Sequence, residues 1–245
     1  MARAEFRKPR LFIDDDLREG AELALGREQA NYVQNVMRLA TGADFLVFNG
    51  RDGEWRARLE GAKRKALLRV GARTRVQTAP GDLAYAFAPL KHARLDYMVQ
   101  KAVEMGVASL TPVMTQHTQV SRVNLERMRA NVIEAAEQCG ILSLPHVEEP
   151  LAFDRWLADL APIRVLVFCD EEAEIADPVA TLRSASPGPF ALLVGPEGGF
   201  SAAERGSLLA RANTIRLSLG PRVLRADTAA VAALALVQAA RGDWR

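Results

Sequence analysis

The chain has 245 residues, 49% of them apolar, with a net charge of +2. Such a length buries a sizeable core, in one large domain or in a small one plus a medium one. No stretch reaches the ~18 apolar residues of a membrane span, and the first residues lack the apolar core of a signal peptide, so a soluble, cytoplasmic protein is expected.

Cys139 and Cys169 lie far apart without metal or CxxC spacing, which reads as two small buried hydrophobes in a reducing compartment. Charge is uneven along the chain. Residues 1–75 carry 16 Lys and Arg against 11 Asp and Glu, a net of +5; residues 76–245 carry 16 against 19, a net of −3. A basic excess on a small front domain suits a polyanion such as RNA, because each cation that neutralises a phosphate releases a counterion. An ordinary solvated surface in an Arg-rich chain is the other reading.

In chain order, the clear helix of the front part is Arg27 to Leu39, with Ala30, Val33 and Met37 on one side. Short strands follow at Asp44 to Phe48, Glu54 to Glu60 and Ala66 to Gly71, separated by turns at 49–53 and 61–65, a spacing that suggests a small antiparallel barrel or meander. Trp55, Ala57 and Leu59 alternate with Arg56 and Arg58, so one face can be buried while arginines line the other. The breaker cluster at 78–82 reads as a linker. Division falls at 1–76 and 77–245.

Beyond the linker the rhythm is strand, helix, strand. A strand at Ala84 to Ala88 leads to a helix over 91–105, with Leu95, Met98, Val99, Ala102 and Val103 on one face and Gly106 at its end. A strand at Ser109 to Val113, a helix from about Asn124 to Cys139, and strands at Arg164 to Cys169, Phe190 to Val194 and Thr214 to Leu217 follow, before a last helix over 228–240. This alternation implies a mainly parallel sheet covered on both faces.

The usual motifs are absent from the sequence: GxxxxGK[ST], HExxH, GxSxG, and a GxGxxG after the first strand. Histidine chemistry has only His92, His117 and His146 to draw on. What remains is a pair of loops. The strand ending at Val194 enters Gly195-Pro196-Glu197-Gly198-Gly199-Phe200 and then the capping box Ser201 to Glu204; the strand ending at Leu217 runs through Leu219-Gly220-Pro221-Arg222-Val223-Leu224-Arg225 to Asp227-Thr228, where the last helix can be capped. Glycine-rich loops after neighbouring strands are where an α/β sheet binds ligands.

The segments LVGPEGGFSAAE, LSLGPRVLRADTA, QKAVEMGVASLTPVMT and EAAEQCG, with Pro9 to Phe12 and Val36 to Leu39, resemble the bacterial ribosomal RNA uridine N3-methyltransferases over nearly the whole chain. The resemblance implies an α/β fold of the SPOUT type, a trefoil-knotted, mainly parallel sheet with a small N-terminal PUA-like β-barrel domain that holds RNA. It further implies S-adenosylmethionine as cofactor, a homodimer with active sites at the subunit interface, no metal, and 16S ribosomal RNA as substrate, in the assembled small subunit. By the same match, Val194, Gly195 and Gly199 flank the cofactor on one side and Leu217, Leu219, Gly220, Val223 and Leu224 on the other.

Uridine N3 carries a proton, so the site must remove it or stabilise the anion as it forms. Arg225 is the first candidate, as electrostatic stabiliser. Asp227 ranks second, as a base or an orienting acceptor, with simple N-capping as its bland alternative. Arg222 and Arg225 could equally bind phosphate or cross a dimer interface. Arg10, Arg38, Lys91 and Arg94 are the other RNA candidates, with a solvated face as the alternative for the last two. Asp227 stands where most of the family carries Glu, and Ile141 where Arg is common, so neither of those roles carries over directly. Ribose 2′-O-methylation and a noncatalytic RNA-binding assembly factor are the rival readings.

Overall fold

The computed structural model describes residues 8–61, 66–174 and 177–244; the segment 1–7 and residues 62–65 of the expected turn at 61–65 lie outside them. Two compact units form, one from Met1–Ala79 with Ile133–Leu144 and the other from Pro80–Val132 with Pro145–Arg245.

In the first unit, β1 (Arg10–Phe12), β2 (Glu22–Ala24), β3 (Asp44–Phe48), β4 (Glu54–Glu60) and β5 (Leu67–Arg75) make a five-stranded sheet in the order β1-β3-β4-β5-β2. The β1–β3 pair is parallel and the rest are antiparallel. The sheet curls around one core that includes Ile13, Val33, Phe45, Val47, Leu59 and Leu68. Alternation in β4 follows the expected pattern, with Ala57 and Leu59 buried and Arg56 and Arg58 exposed. The three-residue edge strands β1 and β2 are too short to show a period in the sequence. Register shifts in the β4–β5 ladder carry β5 past Gly71 to Arg75, four residues beyond the expected end.

The expected continuous helix over 27–39 is broken. It is an α-turn, α1 (Arg27–Asn31), followed by a π turn at Tyr32–Val36 in which the Met37 N–H reaches the Tyr32 carbonyl at 2.9 Å. Asn31, Tyr32, Val33, Asn35 and Val36 are poor helix formers, and the wider turn still delivers Val33 and Met37 to the core. Arg38, at φ 56, then turns the chain away.

Arg10 corrects another expectation. Its side chain is 2% exposed and donates at 2.8 Å to Glu54, which is fully buried and also takes Arg75 at 2.7 Å and the Thr74 hydroxyl at 2.8 Å. Burial pushes the Glu54 carboxyl up, but the Arg75, Arg10 and Thr74 bonds outweigh it and hold the group below its ordinary range. A charge this deep needs its partners, so Arg10 is a core residue and not an RNA contact.

The second unit is built on a seven-stranded sheet of β6 (Ala84–Phe87), β7 (Ser109–Met114), β8 (His146–Val147), β9 (Leu151–Ala152), β10 (Val165–Cys169), β11 (Phe190–Val194) and β12 (Thr214–Leu217). Their order is β12-β10-β11-β6-β7-β8, with β9 on β7, and every pairing is parallel. Every residue of the central strand β11 is buried, as a sheet covered on both faces requires. The helices are α2 (His92–Glu104), α3 (Leu125–Cys139), α4 (Phe153–Asp159), α5 (Pro178–Arg183), α6 (Ala202–Ala210) and α7 (Ala226–Arg241). The Ala-rich stripe of α7, from Ala226 through Ala229, Ala233 and Val237, is buried and packs on α2, α5 and β11. Small side chains there let the helix approach closely. No helix among the described residues is long and apolar enough to cross a membrane.

Candidate active site

The loops after β10, β11 and β12 rise side by side from the same end of the sheet, because the three strands are adjacent and parallel. Together they enclose a cavity of about 440 Å³, within the roughly 300–1,000 Å³ usual for small-molecule sites. Cys169 to Ala173 form one wall, Val194 to Glu197 with Gly199 and Phe200 a second, and Leu217 to Leu224 a third, with Ala226 and Ala229 of α7 below.

Local rules explain each wall. Gly195 must be glycine: a Cβ there would lie 2.9 Å from two carbons of the Phe200 ring. That ring is itself fixed against Phe168 and Phe153, at 6.1 and 6.2 Å between centroids. The expected capping box forms, with the Glu204 carboxylate accepting from the Ser201 N–H at 2.8 Å and the Ser201 hydroxyl accepting from the Glu204 N–H at 3.3 Å. In the third wall Gly220 has φ +92, open to glycine without strain.

Asp170 knits the walls together, and it was not singled out in the sequence. Its side chain is 4% exposed and accepts from Arg216 at 2.6 Å, from Arg205 at 3.1 Å, and from the Glu172 N–H at 3.1 Å. Burial raises this carboxyl, but the two guanidinium bonds prevail and keep it lowered. Only the strand order puts Asp170, Arg205 and Arg216 together, so no local signal could have found them. Cys169 is partly buried at the foot of the same wall, its thiol pushed up to about 12 by burial. Cys139, expected to be buried, is exposed on α3.

Residues 77–238 match the RNA methyltransferase domain family and residues 25–70 the RNA methyltransferase PUA domain. Over 94% of both chains, the sequence is 30% identical to ribosomal RNA small subunit methyltransferase E of Rickettsia conorii. The chain belongs to the ribosomal RNA small subunit methyltransferase E family.

Two solved structures are similar to it throughout. A putative methyltransferase of Legionella pneumophila with bound cofactor SAM is 31% identical, with a TM-score of 0.84 over 96% of this chain and 98% of that one. The methyltransferase E of Neisseria gonorrhoeae bound to S-adenosyl methionine is 25% identical, with a TM-score of 0.85 over 98% of this chain and all of that one. The fold is thus the SPOUT α/β type with a small PUA-like front domain.

The structure brings Val194, Gly195, Gly199, Leu217, Leu219, Gly220, Val223 and Leu224 around the one cavity, together with Arg222. Val223 is 86% exposed, at the open rim. Arg225 and Asp227 do not line it, although Leu224 and Ala226 do. The last helix starts at Ala226, so Arg225 is its N-cap and Asp227 sits inside the first turn, where its Oδ1 accepts from the Thr228 N–H at 2.9 Å. Neither Asp227 nor Thr228 caps the helix, contrary to expectation. Lys91 is exposed at the N-cap of α2, and Arg94 is committed to Glu197 of the β11 loop in an ion pair. Arg38 is exposed in the first unit.

Proposed function

We propose that this chain methylates N3 of a specific uridine in 16S ribosomal RNA with S-adenosylmethionine held in the cavity after β10, β11 and β12. The cavity carries the reading: three adjacent loops offer main-chain groups and Leu and Val side chains around about 440 Å³, and the related Legionella and Neisseria structures hold this cofactor. An adenosine has a flat apolar face and hydrogen-bonding edges, which such a wall can grip without dedicated charges, and the bare backbone at Gly195 fits a close approach. The cofactor supplies a methyl group on a sulfonium, so alignment of the nucleophile is the protein's main task.

Val194, Gly195 and Gly199 hold one side of the cofactor, and Leu217, Leu219, Gly220, Val223 and Leu224 the other. Arg225 stabilises the negative charge that develops on the pyrimidine as N3 loses its proton. Asp227, with one oxygen on the Thr228 N–H, orients the base. Arg38, Lys91 and Arg222 hold phosphates, and Arg94 joins them where phosphate displaces Glu197. Residues 1–76 hold RNA and residues 77–245 transfer the methyl group, as a homodimer acting on the assembled small subunit in the cytoplasm.

Nucleoside analysis of ribosomal RNA from cells lacking the protein tests this. Loss of 3-methyluridine is expected. Loss of a ribose-methylated nucleoside instead would move the chemistry to the 2′-oxygen, and an unchanged profile beside intact RNA binding would make the chain a noncatalytic factor.

A further inference from the structure

His117 lies on the loop after β7 and packs onto the glycine loop that walls the cavity. Its Nδ1 is 3.1 Å from the carbonyl oxygens of both Gly198 and Gly199. Carbonyls only accept, so Nδ1 carries the hydrogen, and the neutral ring keeps its lone pair on Nε2. The ring is exposed, and among the described residues Nε2 has no partner.

The imidazole is also held in place. A Cβ at Gly198 would come within 3.3 Å of the His117 Cβ, closer than ordinary packing, so glycine there eases this contact. The loop itself is pinned by the Thr115 N–H on the Thr118 hydroxyl at 2.9 Å and by the Gln116 N–H on Glu204 at 2.7 Å. A nitrogen base fixed by a hydrogen bond on its far side is the arrangement that general-base catalysis uses.

Other acceptors near the cavity are less suited. Asp170 is saturated by Arg205, Arg216 and a backbone N–H. Asp227 already accepts the Thr228 N–H through one oxygen at 2.9 Å.

We propose that His117 is the catalytic base that takes the N3 proton, an assignment that rests on reading the chain as a uridine N3-methyltransferase. The N3–H bond breaks toward Nε2 while the N3 electron pair bonds the methyl carbon of the sulfonium donor. The carbon–sulfur pair stays on sulfur, leaving a neutral thioether, and the imidazolium returns its proton to water. The charged groups on the surrounding elements are Glu204 beneath the loop, Glu197 with its partner Arg94, and Glu171 beside Gly199.

His117→Asn tests the assignment, because the Asn amide can still donate to the two carbonyls but has no basic nitrogen. Calorimetry should give unchanged S-adenosylmethionine affinity, while single-turnover formation of 3-methyluridine falls by about 10²-fold or more and loses the acidic limb of its pH profile. His117→Ala should regain rate with free imidazole. His146→Asn, outside the site, should match the wild type. Nitrogen NMR of the cofactor-free protein should show the Nδ1–H tautomer at His117. A full rate with an unaltered pH profile in His117→Asn, loss of cofactor affinity in that variant, or an Nε2–H tautomer would each overturn the proposal. Wild-type protein that binds the cofactor yet makes no 3-methyluridine would instead bring down the parent reading.

Discussion

At the residue scale, two glycines of the cavity do different work. At Gly195 the obstacle is contact: a methyl group would meet the Phe200 ring at 2.9 Å, and that ring cannot yield because Phe153 and Phe168 flank it. Gly195→Ala should therefore lower stability by about 1–3 kcal/mol, the usual cost of overpacking, and weaken S-adenosylmethionine binding, both measurable by urea unfolding and calorimetry. At Gly220 nothing lies within 4 Å, and only the φ of +92 resists a side chain. Gly220→Ala should cost no more than about 1–2 kcal/mol. Equal penalties at the two positions would contradict this division. The sequence marked both as loop glycines, but the reason for Gly195 is a ring five residues on whose place is set by packing.

At the element scale, α3 shows how a buried carboxylate can work against the fold. Glu137, in its last half, is buried beside β1 within the first unit and accepts the Phe12 N–H at 2.8 Å. Burial pushes its carboxyl up to about 7, opposed by the Phe12 and Tyr32 bonds. An unfolded Glu titrates near about 4.3, so between there and pH 7 the folded chain holds the extra proton, and stability falls as pH rises through that window. Glu137→Gln keeps an acceptor for Phe12 without the charge. Unfolding measurements should find it near wild type at pH 5 and more stable at pH 8, by an amount on the order of a few kcal/mol. A difference that does not change with pH would refute the assignment. The helix itself was legible as a span from about Asn124 to Cys139, whereas its membership of the first unit from Ile133 onward was not. Sequence distance hides such a contact.

At the scale of the whole molecule, the basic front is less bare than its charge count implies. Arg58 pairs with Asp44, Arg69 with Glu60 and Glu22, and Arg51 with Asp14 and Asp16. Arg56 and Arg38 are exposed and have no ion pair among the described residues. If the front unit holds RNA, Arg56→Ala and Arg38→Ala should each reduce the salt slope of RNA binding by about 1. Arg58→Ala, whose charge is already answered at 2.8 Å, should change it little. Filter binding across a salt series separates these outcomes, and three equal slopes would argue against a localised RNA face.

By itself, the sequence determined what depends on near neighbours. The strand periods, the apolar face of α2, the capping box at Ser201 and the glycine loops after β11 and β12 all follow from residues within a few positions of one another. The tertiary structure alone decided which strands stand side by side, and hence that Asp170 meets Arg205 and Arg216, that Arg10 is sealed against Glu54, and that His117 reaches the carbonyls of Gly198 and Gly199. Those contacts join residues tens of positions apart, and their energies are paid only once the chain has closed on itself.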